Sequence, residues 1–203
     1  MSATPTPPST NNSAFSARQK VKKIAHYSDL ILPQIPTPEG FIRLAGPIER
    51  DNIVNGPGLR AVIWTQGCRQ RCPGCQNPET WSETAGQLVA IEDVKQQLRA
   101  LKGQTGLTFC GGEPLLQADA CRQIADWARQ ELGWSIWSFT GLIYEKIPHD
   151  SPAWHFIQSL DVLIDGPFIQ AQRDLSVKWR GSRNQRLLRS EEHTSELQSH
   201  QPI

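Results

Sequence analysis

Several things are scarce in this chain, and each scarcity closes off a class of function. No part of its 203 residues is apolar for long enough to cross a bilayer as a helix. No secretory signal opens it, and its five cysteines are an odd number. A disulfide framework needs pairs and an oxidising compartment, so that reading is set aside. Neither charge sign dominates: 21 Lys and Arg stand against 20 Asp and Glu, a net +1. No basic stripe interleaved with aromatics marks a nucleic-acid interface. Acidic residues are missing before Asp29. That composition admits an organellar transit peptide, but Pro5, Pro7 and Pro8 oppose the amphipathic helix such a peptide needs. A cytoplasmic chain with a flexible leader is the better reading.

The most informative absence is a fourth cysteine. Cys68, Cys72 and Cys75 lie within eight residues at CxxxCxxC spacing. Electron-transfer cubanes take four Cys, and a structural zinc closes with four ligands. Here one loop supplies three thiolates, and a fourth zinc ligand would have to be Cys110, Cys121 or one of five distant His. Three thiolates on a four-iron cluster leave one iron open, and an open position on a metal is where catalysis takes place. The spacing points to a 4Fe–4S cluster on Cys68, Cys72 and Cys75. Arg69 and Arg71 would stabilise negative charge there or stand as solvated loop charges. Pro73-Gly74 would turn the chain so that the last two sulfurs converge.

A second motif lies downstream. Leu107–Cys110 reads as a short buried strand running into Gly111-Gly112-Glu113-Pro114. Two glycines let a backbone approach a ligand closely, Glu113 places a carboxylate beside them, and Pro114 ends the strand. Alone, such a tetrapeptide is ordinarily a turn. Placed after CxxxCxxC and one helix, it makes the chain resemble the radical S-adenosylmethionine (SAM) enzymes. That resemblance implies that SAM chelates the open iron and that Gly111, Gly112 and Glu113 receive its amino group. Thr140 and Gly141 would line the same pocket. Reductive cleavage of SAM to methionine and a 5′-deoxyadenosyl radical is the implied chemistry.

Further segments narrow the resemblance. They are Asn55-Gly56-Pro57-Gly58, Cys72-Pro73-Gly74-Cys75 with Asn77 and Thr80-Trp81, Phe139-Thr140-Gly141, Asp165-Gly166-Pro167-Phe168, and Trp179-Arg180-Gly181-Ser182 with Asn184-Gln185. In this order the chain is similar to the activating proteins of anaerobic ribonucleoside-triphosphate reductases, over about residues 48–188. Leu142 departs from the Tyr common after Thr-Gly, and Arg183 from a second Ser. The resemblance implies hydrogen abstraction from a backbone glycine of a glycyl radical enzyme, the large reductase subunit. It also implies an electron donor of flavodoxin or ferredoxin type. Trp179, Arg180, Asn184 and Gln185 are candidates for docking that partner, or else a structural segment covering the sheet. Two other readings stay open. One is a radical SAM enzyme acting on a small molecule, like 7-carboxy-7-deazaguanine synthase. The other is a non-catalytic iron–sulfur or zinc module.

Length and 38% hydrophobic content suit one domain. From Leu59 onward, strand and helix signals alternate. Ala61–Thr65 is β-rich. Ile91, Val94, Leu98 and Leu101 recur at helical spacing, with Gly103 and Gly106 closing that helix. Cys121, Ile124, Ala125, Ala128 and Leu132 mark a second helix stopped by Gly133, so Cys121 is a core residue. Cys110 reads as a buried stand-in for Ser or Thr. Ser135–Phe139 is the next strand, a segment near Ala153–Leu160 is helical, and Val162–Ile164 is a strand. Such units predict an α/β fold with a parallel sheet and helices outside. There are too few for a closed barrel, so an open (β/α) barrel of the radical SAM type is expected. Its ligand site would lie at the C-terminal strand ends, where Cys68, Gly111–Glu113, Thr140-Gly141 and Asp165-Gly166 all fall.

Three regions follow: a disordered leader over 1–37, a radical SAM domain over 38–188, and a tail over 189–203. The tail has no helical or strand period and resembles the translation of a sequencing-library adapter. It is therefore read as non-native and disordered.

Overall fold

Successive side chains on opposite sides of short strands set the two faces of this molecule. In the strand Arg60–Thr65, Ala61 and Ile63 join one apolar core, while Arg60 and Trp64 point the other way. The computed structural model describes residues 33–190, so the leader before residue 33 and the tail after residue 190 lie outside the described residues. Eight strands form one open sheet: β1 (Phe41–Leu44), β2 (Glu49–Asn52), β3 (Arg60–Thr65), β4 (Gln87–Ala90), β5 (Gly106–Gly111), β6 (Ser135–Phe139), β7 (Val162–Asp165) and β8 (Arg186–Arg189). Their order is β4-β1-β3-β5-β6-β7-β8, with β2 also paired to β3. Among the described residues, three α-helices complete the mixed α/β fold: α1 (Ile91–Ala100), α2 (Ala118–Leu132) and α3 (Pro152–Ile157).

The four central strands, β3, β5, β6 and β7, are parallel, as the alternating pattern predicts. The sheet as a whole is not parallel. β1, β2, β4 and β8 pair antiparallel at its flanks. These strands have four residues each, and β2 and β8 carry charges in sequence (Glu-Arg-Asp-Asn and Arg-Leu-Leu-Arg), so no apolar run announces them. β8 extends through Arg189, paired to Val162, and so takes in the first residue assigned to the tail by composition. At the other end, Ile35 is 4% exposed and its N–H donates to Leu116 O at 2.9 Å, so part of the compositional leader is packed.

The helices all lie on one face. Val94 and Leu98 of α1, Ile124, Ala125 and Ala128 of α2, and Phe156 and Ile157 of α3 share a core with Ile63, Leu107, Phe109, Ile136 and Leu163. Phe109 and Phe156 meet edge to face at 5.2 Å. Gly133 ends α2 in the left-handed region (φ 66°), as its place in the sequence predicts. Two helices are shorter than predicted. α1 stops at Ala100 because Leu101 is already extended, before Gly103. α3 runs from its Ser151 cap, whose hydroxyl accepts from Trp154 N–H at 3.2 Å, only to Ile157. Among the described residues, no helix is long and apolar enough to cross a membrane.

The opposite face carries Trp64, Thr108, Cys110, Trp137 and Phe139, and the segment after β7 folds back across it. Trp179 packs edge to face on Trp137 at 5.2 Å. Gln185 fastens that segment: its Oε1 accepts from Gly181 N–H (2.8 Å) and Ser182 N–H (3.2 Å), and its Nε2 donates to Gly166 O at 3.1 Å.

Candidate metal centre

The site forms where the parallel strands end. Beyond β3, Gly67 N–H donates to Thr80 O at 2.7 Å and Cys68 N–H to Trp81 O at 3.1 Å. Thr80-Trp81 thus backs the start of the cysteine loop. Inside the loop, Cys75 N–H donates to Cys72 O at 3.1 Å, closing a turn around Pro73-Gly74. Asn77 N–H points at Cys75 Sγ at 3.4 Å, the kind of donor that tunes a ligating sulfur. Arg71 sits in the left-handed region (φ 45°). Arg69 is not free: it forms a two-pronged pair with Glu83 at 2.9 and 2.8 Å, which holds Glu83 below the usual carboxylate range.

Beyond β5, the Gly-Gly-Glu segment is clamped to this loop. Gly112 N–H donates to Thr65 O and Glu113 N–H to Gly67 O, both at 2.8 Å. The need for glycine is visible here. A Cβ on Gly111 would lie 2.6 Å from Thr65 O, and one on Gly112 would strike the Gly67 carbonyl. Both glycines therefore serve the approach of two protein segments.

Glu113 is 1% exposed. Its Oε1 accepts from Leu115 N–H (3.2 Å) and the Thr140 hydroxyl (2.9 Å), and its Oε2 from Gly141 N–H (3.0 Å) and the Gln70 amide (2.8 Å). Burial outweighs these four donors and pushes the carboxyl up to about 7. Burial, reinforced by Glu113, likewise pushes the Cys68 thiol up to about 12, and desolvation raises Cys72. At these values the positions hold thiols, and a metal bound here would have to release their protons.

The strand ends enclose a cleft of about 520 Å³ whose wall includes Cys68, Cys72, Cys75, Gly111, Gly112, Glu113, Thr140 and Gly141. The three cysteines, Gly111–Glu113 and Thr140-Gly141 therefore lie on one cleft wall. Thr140 is buried, and its hydroxyl is turned toward Glu113. Gly166 reaches the wall, whereas Asp165 does not: it is fully buried on the helix side, bound by Arg186 and by Tyr144 N–H (2.9 Å). Cys110 lines the cleft, and desolvation raises its thiol to about 12. Cys121 is core, as its helical stripe predicts. Trp179 and Arg180 line the cleft. Asn184 and Gln185 are fasteners of the return segment, the amide of Asn184 donating to Pro167 O at 2.7 Å.

Cys68, Cys72 and Cys75 share the cleft wall. Among the described residues, no group of three or more His, Cys, Asp or Glu is arranged to hold a metal ion. Two buried donors on the cleft wall, Trp81 Nε1 and Arg180 Nε, have no partner among the described residues. Such groups cost about 1–3 kcal/mol unless something accepts from them, so the cleft suits a ligand carrying acceptors. Sequence reasoning missed Gln70, which no periodicity marks, and the exposed apolar rim formed by Ile53, Val54 and Leu175 (68%, 69% and 85% exposed).

Known proteins resemble this chain in sequence. The family described as a 4Fe-4S single cluster domain matches residues 54–188. The anaerobic ribonucleoside-triphosphate reductase-activating protein of Haemophilus influenzae is 36% identical over 143 residues, 66% of this chain and 90% of that protein. The protein of that name from Enterobacteria phage T4 is 35% identical over 143 residues, 67% of this chain and 87% of its own. Among solved structures, QueE from Escherichia coli aligns with a TM-score of 0.43 and 13% identity over 80% of each chain. The matched region defines the class first: a single-cluster 4Fe–4S protein. Within that class, the chain belongs to the family of anaerobic ribonucleoside-triphosphate reductase-activating proteins.

Proposed function

We propose that this chain is a radical SAM activating enzyme that installs a glycyl radical on an anaerobic ribonucleoside-triphosphate reductase. The observation that carries the reading is the convergence of Cys68, Cys72 and Cys75 with Gly111–Glu113 and Thr140-Gly141 on one cleft. The three cysteines would hold a 4Fe–4S cluster, with SAM at the open iron. Together these groups supply, when bound, the reductive cleavage that yields methionine and a 5′-deoxyadenosyl radical. The chain's own part is to hold, orient and exclude water. Gly111 and Gly112 bring the strand end against the cysteine loop, Glu113 ties that junction to Thr140-Gly141, and the Trp179–Gln185 segment walls the far side. Helices on one face and the site at the C-terminal strand ends support an open (β/α) barrel.

The rim favours a macromolecular substrate. Ile53, Val54 and Leu175 expose apolar surface at the mouth of the cleft, which a small polar substrate would not need. A glycine-bearing loop has no side chain at its reacting carbon and can enter narrowly. Its radical is delocalised over the flanking amides. A flavodoxin- or ferredoxin-type protein would supply the electron. Anaerobic reconstitution with iron and sulfide, then dithionite and SAM, should release methionine and 5′-deoxyadenosine. Addition of a candidate reductase should give a glycyl signal in electron paramagnetic resonance. Absence of SAM cleavage by cluster-loaded protein would sink the proposal.

A further inference from the structure

Glu113 has its hydrogen bonding complete before any ligand arrives. A carboxylate offers about four acceptor positions. All are taken, by Leu115 N–H, the Thr140 hydroxyl, Gly141 N–H and the Gln70 amide. With the residue 1% exposed, nothing reaches the carboxylate unless one donor leaves. Three are held in place: Leu115 N–H and Gly141 N–H are backbone groups, and the buried Thr140 hydroxyl is itself fixed by accepting from Leu142 N–H at 3.1 Å. The fourth stands on the side chain of a loop residue. Gln70 lies across Gly141, where a Cβ would come within 2.5 Å of Gln70 Cδ. Its Oε1 takes only a long contact from the Cys72 thiol, at 3.9 Å. All four donors to Glu113 are neutral. A cationic donor would bind better, since charge-assisted hydrogen bonds are about twice as strong as neutral ones.

We propose that Gln70 is a displaceable cover, whose amide occupies Glu113 Oε2 until the α-ammonium of SAM takes its place. Gln70 is then a positioning residue: it keeps the buried carboxylate satisfied and the cysteine loop tied down while the cleft is empty, and it competes with the ligand for Glu113. This inference rests on the assignment of SAM to the cleft. Gly141 has its own role in it, as the space into which the cover fits.

The test is anaerobic equilibrium dialysis of labelled SAM against oxidised, cluster-loaded protein, where no turnover occurs. Gln70→Ala removes the competitor and should tighten SAM binding about 2- to 13-fold, the range set by a net hydrogen bond of about 0.5–1.5 kcal/mol. 5′-Methylthioadenosine, which has no ammonium group, should bind both proteins equally. Gln70→Met keeps side-chain length and packing against Gly141 without a donor, and it should tighten SAM binding in the same direction. It preserves the test if the Ala variant holds iron poorly. Unchanged or weaker SAM binding by the variants, or an equal gain for methylthioadenosine, overturns the cover. Failure of the wild type itself to bind SAM overturns the assignment beneath it and the cover with it, and is distinguished by the wild-type measurement alone.

Discussion

The two ends of the central strands each bury one ionisable side chain among neutral partners, and the ends are finished differently. At the N-terminal end, Arg60 is 0% exposed. Its guanidinium donates to Thr108 Oγ1 (2.7 Å), Leu107 O (2.7 Å), Ser135 O (2.8 Å) and Ser135 Oγ (2.9 Å) and stacks over Trp137 at 5.2 Å. These acceptors belong to β5 and β6, so the arrangement is closed and serves as a cross-strand staple. At the C-terminal end, Glu113 takes two backbone N–H donors, the Thr140 hydroxyl that Leu142 N–H holds in place, and the amide of Gln70 on the cysteine loop. A buried charge whose partners are all fixed by the sheet is architecture. One with an exchangeable partner beside a cleft is a site.

Substitutions at the two ends should therefore fail in different ways. The largest effect is all-or-none. Cys72→Ala should abolish retention of a SAM-cleaving cluster, read as iron content and product release, yet leave the urea midpoint of the apoprotein nearly unchanged. Retained cleavage would contradict the ligand assignment. Next, Arg60→Ala should cost about 3–5 kcal/mol in urea unfolding, because several buried acceptors lose their donor together. A loss below about 1 kcal/mol would break the staple reading. Smaller still is Gly106→Ala. Its Cβ would press into the Arg60 guanidinium, whose Cζ lies 2.5 Å from that position, for about 1–3 kcal/mol. Combining it with Arg60→Ala should cost less than the sum of the two, since the collision is gone.

The asymmetry of legibility follows the same line. The interior strands β3, β5, β6 and β7 and helix α2 could be read from the sequence because each buries a continuous or periodic apolar set, as in Leu107–Cys110 or Cys121–Leu132. The flanking strands could not be. Glu49–Asn52 shows burial only at Asn52, and its pairing depends on β3 lying beside it. The site residues were legible where chemistry demands a residue type at fixed spacing, as with Cys68, Cys72 and Cys75. Gln70 was not, because its significance depends on the through-space approach of Glu113, 43 positions away. Arg60 reads in sequence as one more polar strand residue, and only the fold brings Gly106 beside it to leave the room it needs.

The last test uses acid, and it separates the two ends without touching the cluster. Burial raises Glu113 from an ordinary 4.5 to about 7 in the fold. Between those values the folded chain keeps a proton that the unfolded chain has lost. The stabilising contribution is therefore fully present below about 4.5, and it disappears as pH rises through about 7. The urea stability of the apoprotein, compared with Glu113→Gln, should fall by about 1–3 kcal/mol between pH 5 and 8, with a slope nowhere steeper than about 1.4 kcal/mol per pH unit. Parallel profiles for the two proteins would show that the carboxyl titrates normally. Arg60 adds no slope in this window. Desolvation lowers it only to about 10, so the guanidinium stays charged throughout. A pH profile that persists in Arg60→Lys but vanishes in Glu113→Gln would place the titration at the open end of the strands and leave the closed end silent.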